Sequence, residues 1–207
     1  MSYIQQLEES KIIAIMRGVD PDDVFAIAKA LKKGGVKVFE VTLDSPNALD
    51  VIKQLSEKAE DDMLIGAGTV LDPESARMAI HSGAKFIISP TMNINTIEMT
   101  KRYGALSIPG CLTPTEILTA YEHGADIVKV FPAGTMGPRY FKDVSGPLSQ
   151  IPLMATGGIN EENMLDFLDT GIIAIGLGSS LVPKKILNAA DLEQLTDKAS
   201  QLVQLTK

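Results

Sequence analysis

Two rhythms of apolar and polar positions succeed each other along this chain from end to end. Short apolar runs occur at Lys11–Met16, Val36–Leu43, Met63–Ala67, Lys85–Ser89, Ala105–Pro109, Asp126–Phe131, Pro152–Thr156 and Ile172–Leu177. Each has the length of a buried strand. Between them lie stretches with helical spacing at Asp22–Lys33, Asn47–Ala59, Pro73–His81, Ile94–Tyr103, Pro114–Glu122, Arg139–Leu148 and Glu161–Leu168, and a tail from about Lys184. Asp20-Pro21, Ser45-Pro46, Asp72-Pro73 and Thr113-Pro114 set a capping oxygen before a proline at the first helical turn. Gly34, Gly83, Gly104, Gly124 and Gly171 each precede a new apolar run, where glycine accepts the left-handed conformation that stops a helix.

Strict alternation of strand and helix implies a parallel sheet, because parallel neighbours need a crossover between them. Eight such units in 207 residues favour a closed (β/α)8 TIM barrel over an open doubly wound sheet. No Gly-rich dinucleotide fingerprint follows the first run, which weakens the open alternative further. The leading Tyr3–Glu9 segment reads as a short helix able to cover the barrel's bottom. With no linker or low-complexity stretch in sight, residues 1–207 are expected to form a single domain.

Composition narrows the partners. Apolar residues make up 45% and charged residues 22%, the ordinary balance of a soluble globular protein. A formal charge of −7 argues against nucleic acid, which needs a basic face, but permits a local positive pocket for a small anion. No apolar stretch approaches the ~20 residues a membrane helix requires, so no membrane partner is expected. The opening MSYIQQLEES is acidic and lacks a long apolar core, unlike a signal peptide. One cysteine, Cys111, permits no intrachain disulfide and suits a reducing cytoplasm.

In a barrel of this kind the chemistry gathers where strands end and βα loops begin. Arg17, Glu40, Thr42, Thr69, Pro90, Lys129, Thr156 and Ser179 are the candidates there. Lys129 stands inside Ile127-Val128-Lys129-Val130-Phe131. Alternation puts Ile127, Lys129 and Phe131 on one face and Val128 and Val130 on the other. If the first set points inward, desolvation disfavours the ammonium and makes the amine a nucleophile toward a carbonyl. The plainer alternative is a stem packed in the core with its head in solvent. Glu40, in Val36–Leu43, is again a charge among apolar residues; it reads as a proton shuttle beside the amine, or as a structural ion pair with Lys129 or Arg17.

Thr156-Gly157-Gly158-Ile159-Asn160 follows the seventh run and Gly176-Leu177-Gly178-Ser179-Ser180 ends the eighth. Glycines let backbone amides approach an oxyanion, and a helix N-terminus adds positive character. These two loops are the usual phosphate site of the fold. Arg17 ends the first run and reads either as a bidentate carboxylate clamp or as a rim salt bridge with Asp44. Gly66-Ala67-Gly68-Thr69 reads as small residues leaving room for a ligand, and Ser89-Pro90 as a wall. His81 and His123 sit before helix-ending glycines without metal-ligand spacing, so no metal is expected. Cys111 has no evident histidine partner.

The segments GGVKVFEVTL, GAGTVLDP, FIISP, IVKVFPA, TGGIN and GLGSSLVP, spread from about Ile12 to Pro183, resemble the class I aldolases acting on 2-keto-3-deoxy-6-phosphogluconate and 4-hydroxy-2-oxoglutarate. The resemblance implies a (β/α)8 barrel, commonly a homotrimer, with no cofactor, acting on a small keto acid. It matches Lys129 to the Schiff-base lysine and Glu40 to the general acid/base. Thr69, Pro90, Phe131 and Thr156 match the pyruvyl pocket, and Gly157, Gly158, Gly178 and Ser179 the phosphate positions. The phosphogluconate branch has an arginine after EVTL for the pyruvyl carboxylate; here that position is Asp44. The IMRG and SP elements look more like the phosphogalactonate branch, and Arg17 is expected to supply the guanidinium. Two rivals remain at this point. Another phosphate-binding barrel isomerase or synthase has no evident need of Lys129. A non-catalytic sugar-phosphate-binding barrel predicts ligand stabilisation without turnover.

Overall fold

Nine strands, all parallel, alternate with helices in the computed structural model, which describes residues 2–186 and 188–207. In chain order they are α1 (Tyr3–Ser10), β1 (Ile12–Met16), α2 (Val24–Lys33), β2 (Val38–Thr42), α3 (Ala48–Lys58), β3 (Leu64–Gly68), α4 (Pro73–His81) and β4 (Phe86–Ile88). There follow α5 (Ile94–Arg102), β5 (Leu106–Ile108), β6 (Gly110–Cys111), α6 (Pro114–Glu122), β7 (Val128–Val130), α7 (Ala133–Ser145), β8 (Leu153–Thr156), α8 (Met164–Leu168), β9 (Ala174–Leu177) and α9 (Ala189–Leu205).

The strand order β5-β4-β3-β2-β1-β9-β8-β7-β6 is that of a barrel. β5 and β6, at its two ends, are halves of one strand divided at Pro109, which has no N–H for the ladder. The seam closes through Asp126 N–H to Ser107 O (2.9 Å) and Lys129 N–H to Pro109 O (2.9 Å). Eight structural strands therefore form the (β/α)8 barrel that the alternation predicts.

Period-two alternation sorts the side chains into two cores. Ile13, Val38, Leu64, Phe86, Ile88, Ile108, Ile127, Met154 and Ala174 pack together inside the barrel, and Leu7 of α1 joins them. α1 therefore closes the bottom, as its sequence suggests. The alternate positions, including Phe39, Val41, Ile65, Val128, Val130, Leu153 and Ile175, pack outward against the helices. Among the described residues no helix is long and apolar enough to cross a membrane.

Some local expectations need correction. Asp72 and Thr113 cap α4 and α6 as expected, accepting from Ser75 N–H (2.6 Å) and Glu116 N–H (3.3 Å). Asp20 and Ser45 do not cap: their helices begin later, at Val24 and Ala48. The Ser45 hydroxyl instead accepts from Gly18 N–H (2.8 Å). Gly34 is right-handed, and the left-handed residue is Gly35. Gly34 is small for packing, since a Cβ there would lie 2.5 Å from Ala199 Cβ on α9. α7 begins at Ala133, not Arg139, because its first turn precedes a kink at Gly137 (φ 73°) and Pro138 starts the second segment.

Candidate active site

Lys129 and Glu40 meet inside the upper barrel because their strands place them on inward positions. Ile127, just before β7, lies in the inner core, and Val128 and Val130 of β7 lie in the outer, so Lys129 points inward. Glu40 is in register with Ile15 and Gly66 across its two neighbours. Lys129 is 5% exposed and Glu40 1%. Lys129 Nζ lies 4.8 Å from the centroid of Phe131, two residues on. Among the described residues neither group has an ion-pair partner, and Glu40 Oε2 has no hydrogen-bond partner. The structural salt-bridge alternative is thus not what the fold contains.

Burial sets the protonation of the pair. It lowers Lys129 below the ordinary lysine range, opposed by the Glu40 charge and aided by Arg17. It raises the Glu40 carboxyl above the usual carboxylate range, against the attraction of Lys129 and Arg17. A buried amine poised toward its neutral form and a carboxyl poised toward its acid form are suited to carbonyl attack and proton transfer.

Small residues make the space. A Cβ on Gly68 would overlap Glu40 Oε1, and one on Gly66 would overlap the Phe86 ring. The glycines of β3 therefore leave room for side chains of β2 and β4, which corrects the expectation that their space is for a ligand.

A cavity of about 680 Å³ opens above the pair, lined by Ile15, Arg17, Glu40, Lys129, Phe131 and Thr156. Gly157, Gly158, Gly178, Ser179, Ser180 and Lys184 continue its wall. Thr156 Oγ1, like Glu40 Oε2, is buried without a hydrogen-bond partner among the described residues. Two orphaned polar atoms in one cavity mark it as built for a polar guest, since buried polar groups are otherwise satisfied.

Arg17 turns away from the glycine loops. Its Nη1 donates to Asp44 Oδ2 (2.6 Å) and its Nη2 to Thr69 Oγ1 (2.8 Å). Burial works to raise the Asp44 carboxyl, but Thr42 and Arg17 outweigh it and hold it below its usual range. Thr69 takes φ +54°, a left-handed conformation rare for a β-branched residue, and there its hydroxyl meets the guanidinium. Thr69 thus reaches the cavity through Arg17 instead of lining it. Pro90 does not line it either; its backbone sits against Gly110, which pairs in register with Lys129.

The glycine loops differ in one respect from expectation. α8 starts at Met164, so no helix N-terminus stands directly behind Gly157 and Gly158. Asn160 ends that role early by turning its side chain back to accept from Glu162 N–H (3.0 Å) and Asn163 N–H (3.2 Å). The two glycines are left-handed, and a Cβ on Gly157 would crowd the Phe131 ring at 2.9 Å. A Cβ on Gly178 would meet nothing within 4 Å. Cys111 is buried and its thiol is pushed up to about 12 by that burial and by Glu116, so no thiolate forms near neutrality.

A family model described as KDPG and KHG aldolase matches residues 3–198. The chain belongs to that aldolase family. It is 38% identical over 171 residues to the 2-dehydro-3-deoxy-6-phosphogalactonate aldolase of Escherichia coli strain K12, covering 82% of this chain and 83% of that one. It is 34% identical to the 2-dehydro-3-deoxy-phosphogluconate aldolase of Haemophilus influenzae over the whole of both chains. The crystal structure of KDPG aldolase from Legionella pneumophila, with pyruvate captured at low pH as a covalent carbinolamine intermediate, superposes with a TM-score of 0.89 at 28% identity. That likeness covers 98% of each chain. The chain is accordingly an aldolase, a carbon–carbon lyase.

Within this aldolase, Asn160 and Ser180 line the cavity from the two glycine segments read as the phosphate site, and Lys184 lines it from beyond them. The available signal was the basic pair Lys184-Lys185 directly after GLGSSLVP.

Proposed function

We propose that this class I aldolase cleaves a 2-keto-3-deoxy-6-phospho sugar acid, 4-hydroxy-2-oxoglutarate, or both, to pyruvate and an aldehyde. The aldehyde is glyceraldehyde 3-phosphate or glyoxylate, respectively. One observation carries the reading: Lys129 and Glu40 are buried together at the mouth of the barrel, without an ion pair among the described residues, under a polar cavity.

Lys129 Nζ attacks the C2 carbonyl, and Glu40 transfers protons as the carbinolamine loses water to become an iminium. Glu40, directly or through water, then takes the proton of the C4 hydroxyl. The C3–C4 electron pair flows into the iminium, the aldehyde departs, and an enamine remains. The enamine takes a proton at C3, and water releases pyruvate and the free amine. The iminium is the electron sink, so the reaction calls for no metal or organic cofactor. Arg17 holds the keto-acid carboxylate, with Thr69 steadying it. Phe131 and Thr156 line the pyruvyl end, and Pro90 shapes its wall through Gly110. Gly157, Gly158, Gly178 and Ser179 cradle the phosphate.

In this reading residues 1–207 form one catalytic domain, and the enzyme works in the cytoplasm as a homotrimer. The test is borohydride reduction in the presence of pyruvate, followed by peptide mass spectrometry. A reduced pyruvyl adduct on Lys129, lost in Lys129→Met, is the expected result. A folded, pyruvate-saturated protein that yields no adduct would overturn it.

A further inference from the structure

The cavity carries its charges unevenly. Arg17, Glu40 and Lys129 lie on its keto-acid side, and Arg17 is engaged by Asp44 and Thr69. The glycine-loop side offers Gly157, Gly158, Ile159, Asn160, Gly178, Ser179 and Ser180, all neutral. A phosphate monoester brings roughly −1.5 to −2 charge at neutral pH. Neutral amides and hydroxyls orient such a group but leave its charge uncompensated, in a chain whose own net charge is −7.

Among the described residues that line this side, Lys184 is the one charge. Its backbone is anchored while its head is not. Leu181 and Val182 are buried, and their amides donate to Gly178 O at 2.9 and 2.8 Å. Lys184 O accepts from Asp20 N–H (3.0 Å), and Ile186 N–H donates to Asp23 Oδ2 (2.9 Å). The segment is thus tied to the loop after β1, and the lysine leaves it at the cavity wall. The side chain has no ion pair or hydrogen bond among the described residues, although Asp20, Asp22 and Asp23 are close in sequence to its anchor. A lysine is a point charge on a flexible stem, suited to a phosphate already oriented by backbone amides.

We propose that Lys184 is a specificity-determining residue, the cation that selects phosphorylated over unphosphorylated keto-acid substrates in this site. The inference rests on the aldolase reading above and adds to it a residue outside the glycine loops.

The test compares turnover of 2-keto-3-deoxy-6-phosphogluconate with that of unphosphorylated 2-keto-3-deoxygluconate, and repeats the comparison with the corresponding galactonate pair. The preference, taken as a ratio of kcat/KM values, is expected to fall about tenfold in Lys184→Met, through the KM of the phosphorylated member. Lys184→Arg restores most of it. Lys185→Met, altering the exposed neighbour that does not line the cavity, leaves it unchanged. In parallel, calorimetric titration with inorganic phosphate should show weaker binding in Lys184→Met than in the parent protein. An unaltered preference, or equal phosphate affinity in the two proteins, overturns the role of Lys184. Absence of both turnover and imine trapping overturns the aldolase reading instead, and the phosphate titration then still decides whether Lys184 binds the anion.

Discussion

At the scale of single residues, the pair Lys129 and Glu40 makes opposite demands on pH. Burial lowers the lysine and raises the carboxyl, while each charge pulls the other back toward its ionised form. The two sites titrate as a coupled pair, so a rate profile reports the pair and not either group. Imine trapping should rise with pH as the Lys129 ammonium loses its proton, with a midpoint below the ordinary lysine range. Glu40→Gln removes the charge that holds the Lys129 proton, so the trapping midpoint should move to lower pH. Turnover should fall by roughly 10²–10⁴-fold in the same variant, the usual loss for a general acid/base. A midpoint that moves upward would contradict the electrostatic account. Arg17 belongs to the same scale. Arg17→Ala should raise KM for the keto acid by about 10- to 100-fold, the worth of a charge-assisted hydrogen-bonded contact. An unchanged KM would remove Arg17 from the carboxylate site and leave it as the rim partner of Asp44.

At the scale of elements, the site depends on which strand positions are kept small. β3 presents Gly66 and Gly68 inward, and these make room for Phe86 and Glu40 from the strands on either side. Gly68→Ala should therefore displace the Glu40 carboxyl. We expect a loss of kcat in the direction of Glu40→Gln, together with about 1–3 kcal/mol of destabilisation from overpacking, read from denaturant unfolding. Full activity in Gly68→Ala would show that Glu40 has room to move without cost. The strand pattern of β7 was legible beforehand because alternation alone sends Lys129 inward once Ile127 is inside. The reason for the glycines of β3 was not, since the sequence does not say which neighbouring side chain takes the space. The same holds for α7 and α8. Gly137-Pro138 hides the first turn of α7, and the side chain of Asn160 satisfies backbone amides that the start of a helix would otherwise leave free.

At the scale of the whole molecule, closure is the governing event. Pro109 divides one strand in two, yet the N–H of Lys129 itself bridges the seam to Pro109 O. The ends of the chain meet as well, with β1 beside β9 and α2 against α9. Assembly as a homotrimer, part of the proposed reading, predicts a sedimenting species of about three times the 22.2 kDa chain mass. A monomer at micromolar concentration would exclude it. Leu112, Leu118 and Tyr121, at and beside α6, are among the exposed large apolar side chains that such an assembly would cover.

By itself the sequence determined the alternation of strands and helices, the barrel that such alternation permits, and that Lys129 shares a face with Ile127 and Phe131. These follow from local periodicity and from the crossover that parallel strands require. Only the tertiary structure decided that the face of Lys129 turns inward, that Lys129 and Glu40 form no ion pair among the described residues, and that Arg17 is held by both Asp44 and Thr69. The same is true of Thr69 and Pro90 standing behind the cavity wall, and of Lys184 joining it. Those outcomes depend on the register between strands and on distances across the barrel, which no local pattern encodes.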